Sequence, residues 1–428
     1  MNLPAEFLAR MRERLGETFP AFLSSYENPP WRALRVNTLK ISLFDFLEHA
    51  PFPLGEQTDW ECNGLYITEP KAGSYPEHFA GLYYLQEPSA MCVGEYTDAC
   101  KKERVLDLCA APGGKTTLVA AQMQGEGILI ANEIDFGRAK ILSQNIERMG
   151  IRNCAVTSTA PQRLAGAFPE YFDLVLVDAP CSGEGMFKKE PEAIPHWSMA
   201  NVKMCAARQK EILEEAAKMV AGGGEIVYST CTFAEEEDEW QIRAFLERHS
   251  EFVLEEEQKL YPDECKGEGH YSARLRKIEG QRRSAKPYPV ARNAQANKAF
   301  LAFAEDFFTE IPKGEITTLL DGRMYLVPAG MPALNVSTLR LGVELGEFDG
   351  KIFKPAHALA MSLKRAECKR FAPLSKELAE RYLRGETLEC GLANGWYVVG
   401  LRDYPLGLGK VVNGVMKNHY PKGLRKTN

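Results

Sequence analysis

The chain has 428 residues, a formal net charge of −6 and 45% hydrophobic, 26% charged and 10% aromatic residues, a globular composition that excludes collagen, coiled coil and wholesale disorder and implies several domains. No apolar run reaches the ~18 residues needed to cross a bilayer, and the start Met1-Asn2-Leu3-Pro4-Ala5-Glu6 has no basic-then-apolar leader, so a cytoplasmic protein is expected. Eleven cysteines with no Cys-x-x-Cys pair point to reduced thiols, not to a disulfide framework or a thiolate zinc site.

Residues 1–84 open with a helix over Glu6 to Gly16 and continue through a Pro- and aromatic-rich stretch, read as a small α+β appendage. From Arg104, strand-length apolar runs alternate with amphipathic helices. Val105 to Cys109, Gly127 to Ala131, Asn153 to Thr157, Phe172 to Val177 and Glu225 to Ser229 are expected strands. Lys115 to Gln124, Phe136 to Met149 and Asn201 to Val220 are expected helices, the last stopped by Gly222-Gly223-Gly224. This alternation predicts a doubly wound α/β domain with a mainly parallel sheet. After Cys231 an acidic helix is expected through Glu235-Glu236-Glu237-Asp238-Glu239, followed by a late strand over Gly267 to Leu275. Residues 279–297 have a linker's composition. Beyond Lys298, runs such as Met324 to Val327 and Gly395 to Leu401 suggest small β-rich modules. From Lys351 to the end there are 15 Lys/Arg against 6 Asp/Glu, a basic surplus of the kind that phosphate neutralisation requires.

The first core strand runs into Leu108-Cys109-Ala110-Ala111-Pro112-Gly113-Gly114-Lys115-Thr116-Thr117, a small-residue turn that would let a ligand lie on the backbone at a helix N-terminus. A phosphate-binding loop needs Gly where Cys109 stands, and G-x-G-x-x-G is absent. Glu133, at the end of the second strand, could take a ribose diol. A nucleoside ligand without a phosphate grip fits these residues, and S-adenosylmethionine is one. The fourth strand ends in Asp178-Ala179-Pro180-Cys181-Ser182-Gly183-Glu184-Gly185 and the fifth in Tyr228-Ser229-Thr230-Cys231. Ligands of a parallel doubly wound sheet sit beyond the carboxyl ends of its strands, so both cysteines should face one crevice.

Leu106 to Thr117, the Asp178 to Gly185 segment, Tyr228 to Cys231 and Gln86-Glu87-Pro88-Ser89-Ala90 resemble the signature motifs of the Nop/Sun family of S-adenosylmethionine-dependent RNA cytosine-C5 methyltransferases. Pro405 to Arg425 resembles the end of the bacterial F-type small-subunit (16S) ribosomal RNA enzymes, whose tail is a PUA-like RNA-binding module. The resemblance implies a class I, Rossmann-like catalytic domain over residues 85–278 and an RNA-binding appendage over 1–84. It further implies a small intermediate domain over 298–385 and a PUA-like module over 386–428.

For the site, the resemblance implies Cys231 as the nucleophile that adds to cytosine C6, Cys181 as an aid to product release, Asp178 on the base edge and Lys115 orienting it. The reverse assignment of the two thiols, as in DNA cytosine methyltransferases, stays open on the residues alone. Cys109, Ala110, Ala111, Pro112, Gly113, Gly114, Lys115, Glu133, Arg138 and Asp178 would hold the methyl donor. One departure stands out: an Asp that contacts the cofactor in relatives falls on Ala160. The implied partner is RNA, 16S rRNA or the small subunit, with tRNA or a non-catalytic ribosome-assembly role as alternatives. No membrane and no metal are expected, and a monomer is. Arg35 and Asn37, the stretch Arg274 to Lys298 and Lys410 to Lys426 are expected RNA contacts, whereas His270 and His357 are expected to be structural.

Overall fold

A computed structural model describes residues 1–426 and gathers the apolar runs of the middle of the chain into one eight-stranded sheet. Its centre is parallel and built from Arg104–Asp107, Ile128–Asn132, Cys154–Thr157, Phe172–Asp178 and Val220–Thr230. Leu106, Leu129, Val175, Val177 and Ile226 are buried, because helices cover both faces and the strands need no polar side. The crossovers are Gly114–Met123, Phe136–Arg148, Pro161–Ala167 and Met199–Met219. Across the sheet the strands run third, second, first, fourth, fifth, followed by the antiparallel His270–Lys277 and Phe252–Leu260. The order reverses between the first and fourth strands, which opens a crevice at their carboxyl ends.

The expected doubly wound sheet is therefore present, with its strands and helices close to their anticipated bounds. The fifth strand is longer than expected: it begins at Val220, so Gly222, Gly223 and Gly224 lie inside it, where the pairing register slips between Phe172 and Leu174. The expected acidic helix is corrected. Residues 235–238 form turns and the helix is Glu239–Arg248, because Glu237 and Asp238 are fully buried and hydrogen-bonded inward. A helix presenting five acids to solvent could not bury those two.

Helix Ala5–Leu15 starts after Pro4 and closes at Gly16, whose N–H donates to Arg12. Phe7, one face of it, packs edge-on against Phe187 (5.2 Å) and Trp197 (5.9 Å), just past the Cys181 loop. A four-stranded antiparallel sheet follows, ordered Leu54–Gln57, Gly64–Ile67, Ala33–Val36, Tyr83–Gln86. Its Arg35 and Asn37 are not RNA contacts in this structure, since each is 1% exposed. Arg35 donates to Thr117 Oγ1 (2.7 Å), Gly114 O (3.2 Å) and Gln86, and Asn37 to Gly81 O and Met149 O. Both clamp the appendage to the core. Arg35→Met, which keeps volume but strands those acceptors, is expected to cost about 3 kcal/mol, read as a lower unfolding midpoint and earlier proteolytic release of the N-terminal segment.

Residues 280–293 lack regular structure but are pinned: Gly222 N donates to Gln281 O and Arg282 pairs with Asp173. Asn293 then caps helix Ala294–Phe307, so regular structure resumes before the compositional linker ends. Two further sheets follow. One comprises Glu315–Thr318, Arg323–Val327, Val343–Phe348 and Phe353–Pro355. The other is five-stranded, from Phe371–Leu374 to Val415–Asn418. In the chain between Arg323–Val327 and Val343–Phe348, Thr338–Leu341 adds antiparallel to Cys154–Thr157 and covers the edge of the central sheet. No helix among the described residues is long and apolar enough to cross a membrane.

Candidate active site

The turn after the first strand is held from three sides. Ala110 N donates to Asn132 O (2.8 Å), Arg138 donates to Ala111 O (2.8 Å) and Asn145 to Pro112 O (2.9 Å). Gly113, at φ +116, turns the chain into helix Gly114–Met123. A Cβ there would stand 3.2 Å from Leu142 in a conformation L residues avoid. The buried Glu133 carboxylate accepts from Asp135 N (3.0 Å) and lies 3.4 Å from Arg138. Under the turn, Thr116 donates to one oxygen of buried Asp107 (2.6 Å), while the other oxygen has no protein partner among the described residues. Burial pushes that carboxyl up to about 7. Cys109 is half-buried beside it, and burial raises its thiol above the ordinary range.

Lys115, in the first turn of that helix, joins this cradle to the second cluster. Its ammonium lies 2.7 Å from Asp178 Oδ1, with the lysine side chain 9% and the aspartate 34% exposed. Burial opposes the charge on Lys115, but Asp178 outweighs it and the lysine stays above its usual value. Ser229, beside Asp178 on the neighbouring strand, donates to the same oxygen at 3.0 Å. Cys181 and Cys231, 50 residues apart in sequence, bring their sulfurs to 3.4 Å. Contact with Cys231, together with burial, holds the Cys181 thiol well above its ordinary range, so Cys181 keeps its proton.

Several supports carried no sequence signal. Glu237 accepts from Ser182 N (3.0 Å) and Gln209 (2.8 Å), and Gln209 also donates to Pro180 O, which fixes the turn carrying Cys181. Burial raises Glu237 to about 7. Glu184 accepts from Trp197 (2.9 Å) and from Phe233 N, and Gly185 N donates to Cys231 O (2.9 Å). In sequence, Glu237 is one of a run of acids and reads as solvated surface. Ala160 caps helix Pro161–Ala167 and places no side-chain acceptor there; Asn132 bonds the neighbouring Thr159 on both its N–H and its carbonyl.

Much of the positive charge in Arg274 to Lys298 is internally paired: Arg274 and Arg276 with Glu255, Arg282 with Asp173 and Glu103, Arg283 with Glu170. In the last sheet the Lys410 ammonium lies over Trp396 at 5.5 Å, beside His419. No group of His, Cys, Asp and Glu able to hold a metal occurs among the described residues.

Residues 97–283 match the family described as 16S rRNA methyltransferase RsmB/F, and residues 3–88 the N-terminal domain of 16S rRNA methyltransferase RsmF. Residues 302–363 match the RsmF first C-terminal domain and 369–426 the RsmF PUA domain. Ribosomal RNA small subunit methyltransferase F from Escherichia coli is 33% identical across 98% of this chain and 96% of its own length. That from Escherichia fergusonii is 34% identical over the same shares. A methyltransferase homolog from Pyrococcus horikoshii superposes with a TM-score of 0.55 at 29% identity, covering 64% of this chain and 100% of that one. The central domain thus has the Rossmann-like methyltransferase fold.

Proposed function

Because this chain belongs to the family of ribosomal RNA small subunit methyltransferase F, we propose that it transfers a methyl group from S-adenosylmethionine to C5 of a cytidine in 16S rRNA through a Cys231–C6 bond. The observation that carries the reading is the pair of sulfurs 3.4 Å apart at neighbouring strand ends, beside an ion pair of 2.7 Å.

The turn fits the donor: Asp107, with one buried carboxyl oxygen left without a partner among the described residues, and Glu133 offer buried carboxylates at the strand ends. The backbone of Cys109, Ala110, Ala111, Pro112, Gly113 and Gly114, with Glu133, Arg138 and Asp178, would hold it. Bound there, S-adenosylmethionine supplies an electrophilic methyl group on a sulfonium. Everything else falls to this chain's residues. Cytosine C5 is a weak nucleophile until a thiolate adds to C6. Cys231 gives up its proton and its sulfur bonds C6, while the π pair of C5=C6 moves onto C5. Asp178, held by Lys115 and Ser229, binds the N3/N4 edge and favours that shift. After methylation water on the open side of the site takes the C5 proton, the C5–H pair restores C5=C6, and the Cys231–C6 bond breaks with its pair returning to the Cys231 sulfur. Cys181, which keeps its proton, assists that release by donating to the departing thiolate. The target base must leave any helix, at a cost of roughly a few kcal/mol, and RNA binding by the appendage over 1–84 and by the C-terminal module, whose sheet begins at Phe371 and not at the expected 386, supplies this energy.

Bisulfite sequencing of total RNA from a strain lacking the gene tests the reading. Loss of a protected cytidine in 16S rRNA, restored by the wild-type gene and not by Cys231→Ala, is the expected result. A loss confined to tRNA changes the substrate, and rescue by Cys231→Ala would make the protein an assembly factor.

A further inference from the structure

His270 begins the strand that pairs with the one ending just before the proposed nucleophile, and nothing in the mechanism above uses it. Strand His270–Lys277 pairs antiparallel with Val220–Thr230, Ser272 opposite Ser229 and Tyr271 opposite Thr230. Continued one step past its last pair, this register would set His270 opposite Cys231, which follows the strand's end at Thr230. Paired residues share a face, so Ser229 lies on the face of Ser272, and side-chain alternation puts His270 on that face too. On that face Ser229 reaches Asp178 and Ser272 meets the Cys92 thiol at 3.5 Å. The two backbones also approach each other: a Cβ on Gly185 would lie 3.0 Å from the carbonyl oxygens of both Cys231 and Gly269.

His270 is 1% exposed, yet neither ring nitrogen has a partner among the described residues. Buried donors and acceptors rarely go unpaired, and each specific exception calls for an explanation. Burial, reinforced by the Lys115 charge, holds the ring far below the usual histidine range. At neutral pH it is a neutral imidazole with one N–H and one bare nitrogen, and a poor acceptor for the Cys231 proton. What it can do is donate.

We propose that His270 is a positioning residue for Cys231: its N–H donates to the sulfur once the thiol turns from Cys181 and loses its proton, aiming the thiolate at C6. The role rests on the reading of Cys231 as the nucleophile. The thiol proton leaves to water on the open side of the site, where Asp178 is partly exposed. Lys115, Asp178, Cys181, Cys92 and, beneath the Cys181 turn, Glu237 are the other titratable groups around the pair. Lys115 supplies charge there, whereas His270 supplies direction.

The test is peptide-resolved alkylation of Cys231 by iodoacetamide in the full chain from pH 6 to 10, with the exposed Cys62 as internal reference. His270→Phe is expected to move the Cys231 profile up by about one pH unit, an approximately tenfold slower reaction at pH 7. His270→Gln, which keeps an N–H donor, recovers most of it. With rRNA, His270→Phe lowers kcat by about tenfold and leaves KM unchanged. A profile unmoved in folded His270→Phe overturns the proposal. Should that variant not fold, ¹⁵N-histidine spectra of the otherwise native chain decide: among its seven histidines, one neutral ring must respond to Cys231→Ser, and indifference of all seven overturns the role. A shifted alkylation profile in a protein that methylates no rRNA would keep His270 in place and remove the functional reading instead.

Discussion

Cys231→Ala is expected to lower rRNA methylation on the order of 10³-fold or more, and Cys181→Ala to leave a denaturation-resistant protein–RNA adduct on gels. The two sulfurs are 3.4 Å apart and both cysteines are half-buried. Cys181 is held by a turn that Glu237 and Gln209 anchor, and contact with Cys231 together with burial raises its thiol well above the ordinary range. A protonated thiol cannot attack C6, but it can serve proton transfer when the adduct breaks. Removing Cys231 therefore removes the bond-forming atom, whereas removing Cys181 leaves bond formation intact and stalls its reversal. An adduct trapped by Cys231→Ala instead would exchange the roles of the two thiols.

The Lys115–Asp178 pair makes an asymmetric prediction. Asp178→Asn leaves an ammonium that is 9% exposed without a counter-charge, and breaking such a pair from one side costs about 3 to 5 kcal/mol. Lys115→Met leaves a carboxylate that is 34% exposed, which water can solvate, so its stability cost is smaller. The double variant Asp178→Asn/Lys115→Met is expected to regain most of the stability in urea unfolding. None of the three recovers methylation, which falls by about 10²-fold or more because the base edge loses its fixed partner. The pH behaviour follows from the raised lysine: its folded value lies above the usual 10.5, so the pair's contribution is fully present below that pH and is lost only as pH rises beyond it. Once Asp178 is gone, burial alone acts on Lys115 and lowers its value, so the variant sheds part of its penalty as pH rises and the stability difference between wild type and Asp178→Asn should narrow from pH 6 to 9. A full-strength enzyme carrying Asp178→Asn would remove Asp178 from the reaction.

The elements that hold the site were legible where the signal is local. The turn from Leu108 to Thr117 reads as strand, turn and helix because Gly113, Gly114 and the apolar periodicity on either side are contiguous in sequence. Cys181 and Cys231 could be placed together because each ends an apolar run and neighbouring parallel strands present their ends on one side. Glu237, Asp238 and Arg35 misled the same reading. Charge in sequence predicts solvent, yet these three are buried against partners distant in the chain: Ser182 and Gln209, Thr230 and Lys259, and Thr117. Thr338–Leu341 showed nothing of its role as an edge strand, because pairing to Cys154–Thr157 depends on a neighbour about 180 residues away in sequence.

Hydrophobic periodicity, turn residues and the order of strand-terminal motifs by themselves determined the doubly wound sheet and pointed to an open turn for a nucleoside and one crevice for Cys181 and Cys231, while the family resemblance of those motifs added Lys115 and Asp178. These are properties of short segments, since a strand's burial and a turn's glycine do not depend on what lies far along the chain. The tertiary structure alone decided which charges are solvated and which are buried, that Glu237 and Gln209 hold the Cys181 turn, and that a buried, unpartnered His270 begins the strand paired with the one leading to Cys231. Burial, hydrogen-bond partnership and the resulting shifts in protonation depend on groups brought together through space, and no local pattern encodes them.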